Sequence, residues 1–203
     1  GMSVVTIRKP PVFLALAGFH RLSVAAYTKL VELGELSSQD RVELLNGYMV
    51  QKMPQNPPHS NASTNLEDVL SAVLPAGWLR RTEKPLTLKD SVPEPDVAIA
   101  RGGRGAFAHR HPLASDIGLV VEVSDSSLPI DRVDKGLIYA ENGLPIYWIV
   151  NVVERQIEVY TDPRPSDPAP AYATRTDYKP GATVPFILDG QLVANIPVID
   201  IVS

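Results

Sequence analysis

"IGLVVEVSDSSLPIDRVDKGLIYAENGLPIYWIVN", residues 117–151, decides the architecture. Its first eight residues are apolar on both alternating faces, which suits a central strand covered on both sides. "DRVDKGLIYAENG" (131–143) then reads as a helix, with Asp131 near its start and Asn142-Gly143 as its stop. "IYWIVN" returns as a strand and pairs with "QIEVYT" (156–161) as a hairpin. In that second arm Ile157 and Val159 alternate with Gln156 and Glu158, a pattern suited to a sheet margin. Strand, helix and hairpin in this order point to an α/β fold around a mixed sheet.

Working outward, "SVAAYTKLVELG" (23–34) has helical spacing, a Ser start and a Gly stop. "RVELLNGYMVQKM" (41–53) changes period, and its Asn46-Gly47 is a strong hairpin signal. The proline-rich "PQNPPHS" (54–60) interrupts, and helical spacing resumes through Leu66, Val69, Leu70 and Val73. Strands are expected around Trp78 to Thr82, around Pro85 to Leu88, and after Asp96 in "PEPDVAIA" (93–100). "DPRPSDPAPAY" (162–172) reads as a surface loop, and the remainder, with "VPFILDGQLVANI" (184–196), as short strands and turns.

The chain has 203 residues, no cysteine and a formal charge of −4. One domain over residues 2–203 is expected, with Gly1 ahead of Met2 set aside as an expression remnant. The missing cysteine excludes disulfides and thiolate metal sites. "VFLALAGF" (12–19) is too short for a signal peptide with no cleavage region behind it, and no apolar run is long enough to span a bilayer. These features lead us to expect a cytoplasmic protein with no membrane partner. Net acidity argues against broad phosphate coating, although residues 78–111 carry seven Lys or Arg against four Asp or Glu.

Two carboxylates stand where chemistry could use them. An unpaired buried carboxylate costs several kcal/mol, roughly, so Glu122 inside "LVVEVS" needs a partner. A divalent cation shared with Asp96 from a neighbouring strand end is one answer. A solvated Glu122 and a turn-capping Asp96 are the ordinary alternative. Lys135, four residues after Asp131, is either an exposed helical ion pair worth about 0.3 to 0.5 kcal/mol or an ammonium folded back over the two acids. Smaller signals include "RGGRG" (101–105), which could cradle a phosphate or be a loop, and His109 and His111, which could meet phosphates or water. Ser124, Ser126 and Ser127 lack a suitably spaced His for a triad. Tyr147 and Trp148 read as core residues.

The ordered set "VELLNGYMV" (42–50), "PPHS" (57–60), "PEPDVAIA", "LVVEVSDSS" (119–127), "DRVDKGLIYAENGLPIYWIVN" and "IEVYTDPRP" (157–165) resembles the Uma-type endonuclease family, long catalogued as a domain of unknown function. That family lies in the PD-(D/E)XK, or restriction-endonuclease-like, superfamily. The resemblance implies a mixed β-sheet flanked by helices, with an N-terminal helix and hairpin added. It matches Asp96 to the acid of the "PD" motif and Glu122 to the acid of the following strand, both ligands of Mg²⁺ or Mn²⁺, with the Val123 carbonyl adding a third. The superfamily lysine normally stands two residues after Glu122, where this chain has Ser124. Lys135 would then be that lysine moved to the adjoining helix, a variation the Uma-type pattern shows. Glu43 and His59 match an upstream Glu and His, an additional ligand and a proton-transfer group; taken alone, a Glu before a hairpin is usually exposed, and a His after Pro57-Pro58 caps a helix or faces solvent. The implied activity is metal-dependent hydrolysis of phosphodiester bonds in DNA. The alternative is a nucleic-acid-binding or regulatory module of the same fold without useful catalysis. A homodimer is expected by analogy with enzymes that cut both strands.

Overall fold

A computed structural model describes residues 11–203; the first residues of the expected domain lie outside the described residues. The elements run α1 (Phe13–Leu16), α2 (Val24–Glu32), β1 (Val42–Leu45), β2 (Tyr48–Gln51), α3 (Pro57–Val73), β3 (Trp78–Thr82), β4 (Val97–Arg101) and β5 (Ile117–Ser124). A π-helical turn (Ile130–Lys135) leads into α4 (Gly136–Glu141). Then follow β6 (Ile146–Asn151), β7 (Gln156–Arg164), β8 (Ala171–Tyr178), β9 (Thr183–Leu188), β10 (Gln191–Pro197) and α5 (Ile199–Val202).

Six strands form the main sheet in the order β3-β4-β5-β6-β7-β8. Four of its pairings are antiparallel, and β5 with β6 is parallel. A parallel pair cannot be closed by a tight turn, so the chain must cross over one face, and the π-helical turn with α4 is that crossover. Every residue of β5 is buried, as its two-sided apolar pattern predicts. Leu119, Val121 and Val123 pack on one face with Leu66 and Leu70 of α3 and Phe186 of β9. Val120 packs on the other with Ile138, Tyr139 and Leu144. By the same alternation Glu122 faces α4.

The N-terminal additions also form. Ser23 caps α2, its hydroxyl accepting from the Ala26 N–H at 3.1 Å. Asn46 and Gly47 adopt φ of 50° and 86° between β1 and β2, the left-handed pair that a two-residue hairpin of this kind requires. Antiparallel hydrogen bonds between Leu44 and Val92 then lay this hairpin against the segment leading to β4.

Four expectations change. Residues 85–88 are not a strand: apart from one bridge from Thr87 to Leu113, the segment bonds back on itself, Leu86 N–H to Pro93 O and Leu88 N–H to Ser91 O. Pro85 and Pro93 have no N–H to offer a continuous ladder. The hairpin arm 156–161 is not the margin, because β8 pairs along β7 and forms the edge. Both ends of the expected loop 162–172 are therefore strand, and residues 165–170 link β7 to β8. Pro57 and Pro58 open α3 rather than precede it, since proline fits a first helical turn whose N–H groups have no intrahelical partner.

Gly118, at the far end of β5 from Glu122, is a packing glycine. A Cβ there would come within 2.6 Å of the Trp78 ring and 2.9 Å of Leu188 Cδ2. Gly118→Ala is expected to cost about 2 kcal/mol through overpacking, read as a lowered urea midpoint with an unchanged m-value.

Candidate active site

The β4–β5 register brings the two sequence-predicted acids together. Val97 pairs with Val121, so one step beyond β4 Asp96 stands opposite Glu122. Asp96 Oδ2 accepts from the Val123 N–H at 2.7 Å, which fixes the carboxylate at the strand end. Asp96 is thus more than a turn residue before a strand.

Three other elements converge on this point. The crossover helix delivers Lys135, whose buried Nζ lies 3.0 Å from Glu122 Oε1 and 3.1 Å from Glu43 Oε1. Glu43 comes from β1 and also accepts from the Glu94 N–H at 3.1 Å. It is buried, against the expectation of an exposed residue beside a hairpin, because Lys135 supplies its counter-charge. His59 stands in the first turn of α3, with Nε2 3.4 Å from Asp96 Oδ1 and Nδ1 3.3 Å from Ser63 Oγ. That pattern assigns Nε2–H as donor to Asp96 and Nδ1 as acceptor from Ser63.

All five side chains singled out in the sequence therefore meet at one cleft of about 70 Å³, several times the space a single water needs. Others stay away. The "RGGRG" stretch begins at the opposite end of β4, about 16 Å from Asp96 at strand rise. Much of the basic segment is spent on local pairs: Arg80 with Glu67, Arg101 with Asp189 and Arg110 with Asp116.

Sequence reasoning missed two members of the site. Asp131, read there only as a helical partner for Lys135, is buried and lines the cleft. Its Oδ2 accepts from Ser124 Oγ and Ser127 Oγ, each at 2.6 Å, so the serines hold an acid instead of forming a triad. Tyr139 donates to Glu122 Oε1 at 2.6 Å. Residues 131, 135 and 139 recur every four positions on the crossover, and that spacing was the available signal. A second acid on the same sheet face anchors this turn: Arg132 reaches Glu158 of β7 through Nε at 3.0 and 3.2 Å, and Arg175 meets the same carboxylate at 2.7 Å.

Glu43, Asp96, Glu122 and Asp131 place four carboxylates around one ammonium and one imidazole. That deficit of positive charge, with oxygen donors throughout, fits a hard divalent cation that takes one or two carboxylates and keeps waters. Asp96, Glu122 and the Val123 carbonyl are the suitable donors. Among the described residues no three His, Asp or Glu side chains are gathered as a ready cage, so a site completed by a backbone carbonyl and water is the fit.

A family model described as "Uma2: Putative restriction endonuclease" matches residues 25–185. The chain belongs to the Uma2 family. The crystal structure of a putative nuclease belonging to DUF820 from Anabaena variabilis superposes with a TM-score of 0.68 at 16% identity, covering 89% of this chain and 97% of that one. The fold is thus restriction-endonuclease-like, as the sequence resemblance implied. No curated protein matches. No helix among the described residues is long and apolar enough to cross a membrane.

Electrostatics in this Uma2 site follow from burial and pairing. Burial pushes Glu122 well above the usual carboxylate range; Lys135 opposes this, while Asp131, Asp96 and Glu43 add to it. Burial alone would strip the Lys135 proton, but Glu122, Glu43 and Asp131 reverse that and hold the ammonium charged. Burial also opposes ionisation of Asp96, yet its contacts with His59, the Val123 N–H and Lys135 outweigh it and lower its pKa. His59 is raised above 6.5, because Asp96 outweighs the effect of burial.

Two outcomes are expected. Lys135→Met leaves buried Glu43 and Glu122 without their cation and should cost about 3 kcal/mol, whereas Glu122→Gln should cost little and should lessen the penalty when combined with it. Denaturant titration of the two single variants and the double variant measures this. His59, being raised, contributes stability below pH 6.5 that is lost as pH climbs through its folded value. In Asp96→Asn burial is opposed only by Glu83 and Asp131, so the metal-free His59 midpoint should fall relative to the parent, as followed by NMR titration.

Proposed function

We propose that this Uma2 chain is a Mg²⁺-dependent nuclease that hydrolyses phosphodiester bonds in DNA. One observation carries the reading: Asp96 and Glu122 stand opposite each other at the β4–β5 junction, with the Lys135 ammonium on the same face. Family membership supports the nuclease class.

Mg²⁺, or Mn²⁺ in its place, held by Asp96, Glu122 and the Val123 carbonyl, would supply a polarised phosphodiester oxygen and a water of lowered pKa. Glu43 lines the same cleft and is placed to add an acceptor. Lys135 has three protons, one of which goes to Glu122 while Glu43 pairs with the same ammonium at 3.1 Å, and its remaining donor capacity can orient water or steady charge on the phosphoryl oxygens as they become more negative. Both ring nitrogens of His59 are engaged, so its role is to hold Asp96 ionised and aimed, with Nδ1, on the Ser63 side, the nitrogen able to accept a proton. Tyr139 and Asp131 orient Glu122 and the crossover turn.

A second reading, a nucleic-acid-binding module without useful catalysis, is favoured by one feature. Ser124 occupies the usual lysine position, and its hydroxyl is committed to Asp131. Cleavage of both strands of a duplex would call for two such centres, and hence a dimer.

Calorimetric titration of Mn²⁺ is expected to show binding to the parent chain, lost in both Asp96→Asn and Glu122→Gln. Plasmid nicking should require Mg²⁺ or Mn²⁺ and fall about 100-fold in Glu122→Gln. DNA binding with no nicking by either protein would instead select the module.

A further inference from the structure

A second cavity, of about 180 Å³, opens beside the cleft and shares Gln55, Glu83 and Asp96 with it. Ser60, Ser63 and Thr64 on α3 and Thr82 at the end of β3 bring hydroxyls to its walls, and Glu67 adds a carboxylate. No lysine, arginine or aromatic side chain lines it. The nearby Arg80 is held by Glu67 at 3.1 Å and by Thr82 Oγ1 at 3.1 Å.

Those walls select their occupant. A phosphate would face Glu67, Glu83 and Asp96 with no free cation and be repelled. A neutral group that donates hydrogen bonds, such as a sugar hydroxyl or a base amino or imino group, meets carboxylate and hydroxyl acceptors, the Gln55 amide nitrogen being already given to Glu83. The volume is well under the roughly 300 Å³ at which pockets for drug-sized ligands begin, so one ring enters and a whole nucleotide does not.

We propose that this cavity is a nucleoside subsite, which takes the sugar or base attached to the scissile phosphate and leaves the charged backbone to the cleft, whose lining, unlike the cavity's, includes Arg41 and Lys52. The inference rests on the nuclease reading and adds to it the group that is recognised. Ser63 links the two spaces, because its hydroxyl faces the cavity and also lies 3.3 Å from His59 Nδ1. An occupant of the cavity therefore touches the pair that aims Asp96.

Thr64 is exposed on α3, so Thr64→Phe can fill the cavity from the helix surface without entering the core. Parent and variant would be compared in Mn²⁺ on a single-stranded oligonucleotide and on bis(4-nitrophenyl) phosphate, which has no nucleoside. The ratio of kcat/KM for the oligonucleotide to that for the small ester should fall about tenfold or more in the variant. If that fall shrinks when the adjoining nucleotide is abasic, the base is the occupant. If it shrinks only with a propanediol linker there, the sugar is. An unchanged ratio overturns the subsite and leaves the nuclease standing. A parent chain that cleaves neither ester overturns the nuclease reading and the subsite with it.

Discussion

Lys135, buried between Glu43 and Glu122, is the contact on which the arrangement depends. Its ammonium joins the crossover helix, the central strand β5 and the N-terminal hairpin through two carboxylates that could not otherwise share a dry space. Each partner arrives by a separate route. Asparagine and glycine in left-handed conformations turn the hairpin, the β4–β5 register sets Asp96 against Glu122, and the parallel β5–β6 pair forces a helix over that same face. The added hairpin is thereby part of the site and not an ornament on the sheet.

One ammonium is still too little for the acids gathered around it. With three buried carboxylates and the partly buried Asp96 against Lys135 and His59, the group can relieve itself by retaining a proton, which is what the raised pKa of Glu122 expresses, or by admitting a cation. Cation binding and proton release are then two sides of one equilibrium. The same excess of acid disfavours close approach of a bare phosphate, so a phosphodiester enters on better terms once the cation is in place.

Much of this was legible in the sequence, and the failures have a common physical origin. The two-sided apolar run of β5, the Asn46-Gly47 turn and the Gly143 helix stop carry local signals, and the structure follows them. Asp96, Glu122, Lys135, Glu43 and His59 came from the ordered resemblance; their side chains taken singly left the ordinary readings open. Glu43 and Glu158 were misplaced because alternation assigns the polar side of a strand to water. A lysine and two arginines, distant in sequence, supplied the missing partners instead. At residues 85–88 apolar content suggested a strand, but two prolines denied the ladder its donors, and Leu86 and Leu88 were buried without one.

Glu122 and Glu158 lie on the same face of the sheet, both fully enclosed, and the contrast between them separates scaffold from chemistry. Glu158 accepts from two arginines, from Tyr160 at 3.1 Å and from Gln156 at 3.4 Å, so its charge is matched more than once. Glu122 shares a single ammonium with Glu43 and has two further acids nearby, so its charge is under-matched. A saturated carboxylate has nothing left to offer a ligand; an under-matched one gains most from a new cation. Arg132 ties the two together, since it grips Glu158 from the residue next to Asp131 and three before Lys135. The neutral cluster fixes the π-helical turn, and the turn in turn holds Lys135 and Asp131 against the charged one. The rigid pairing under β7 is what allows an unbalanced group of acids to persist under the crossover helix.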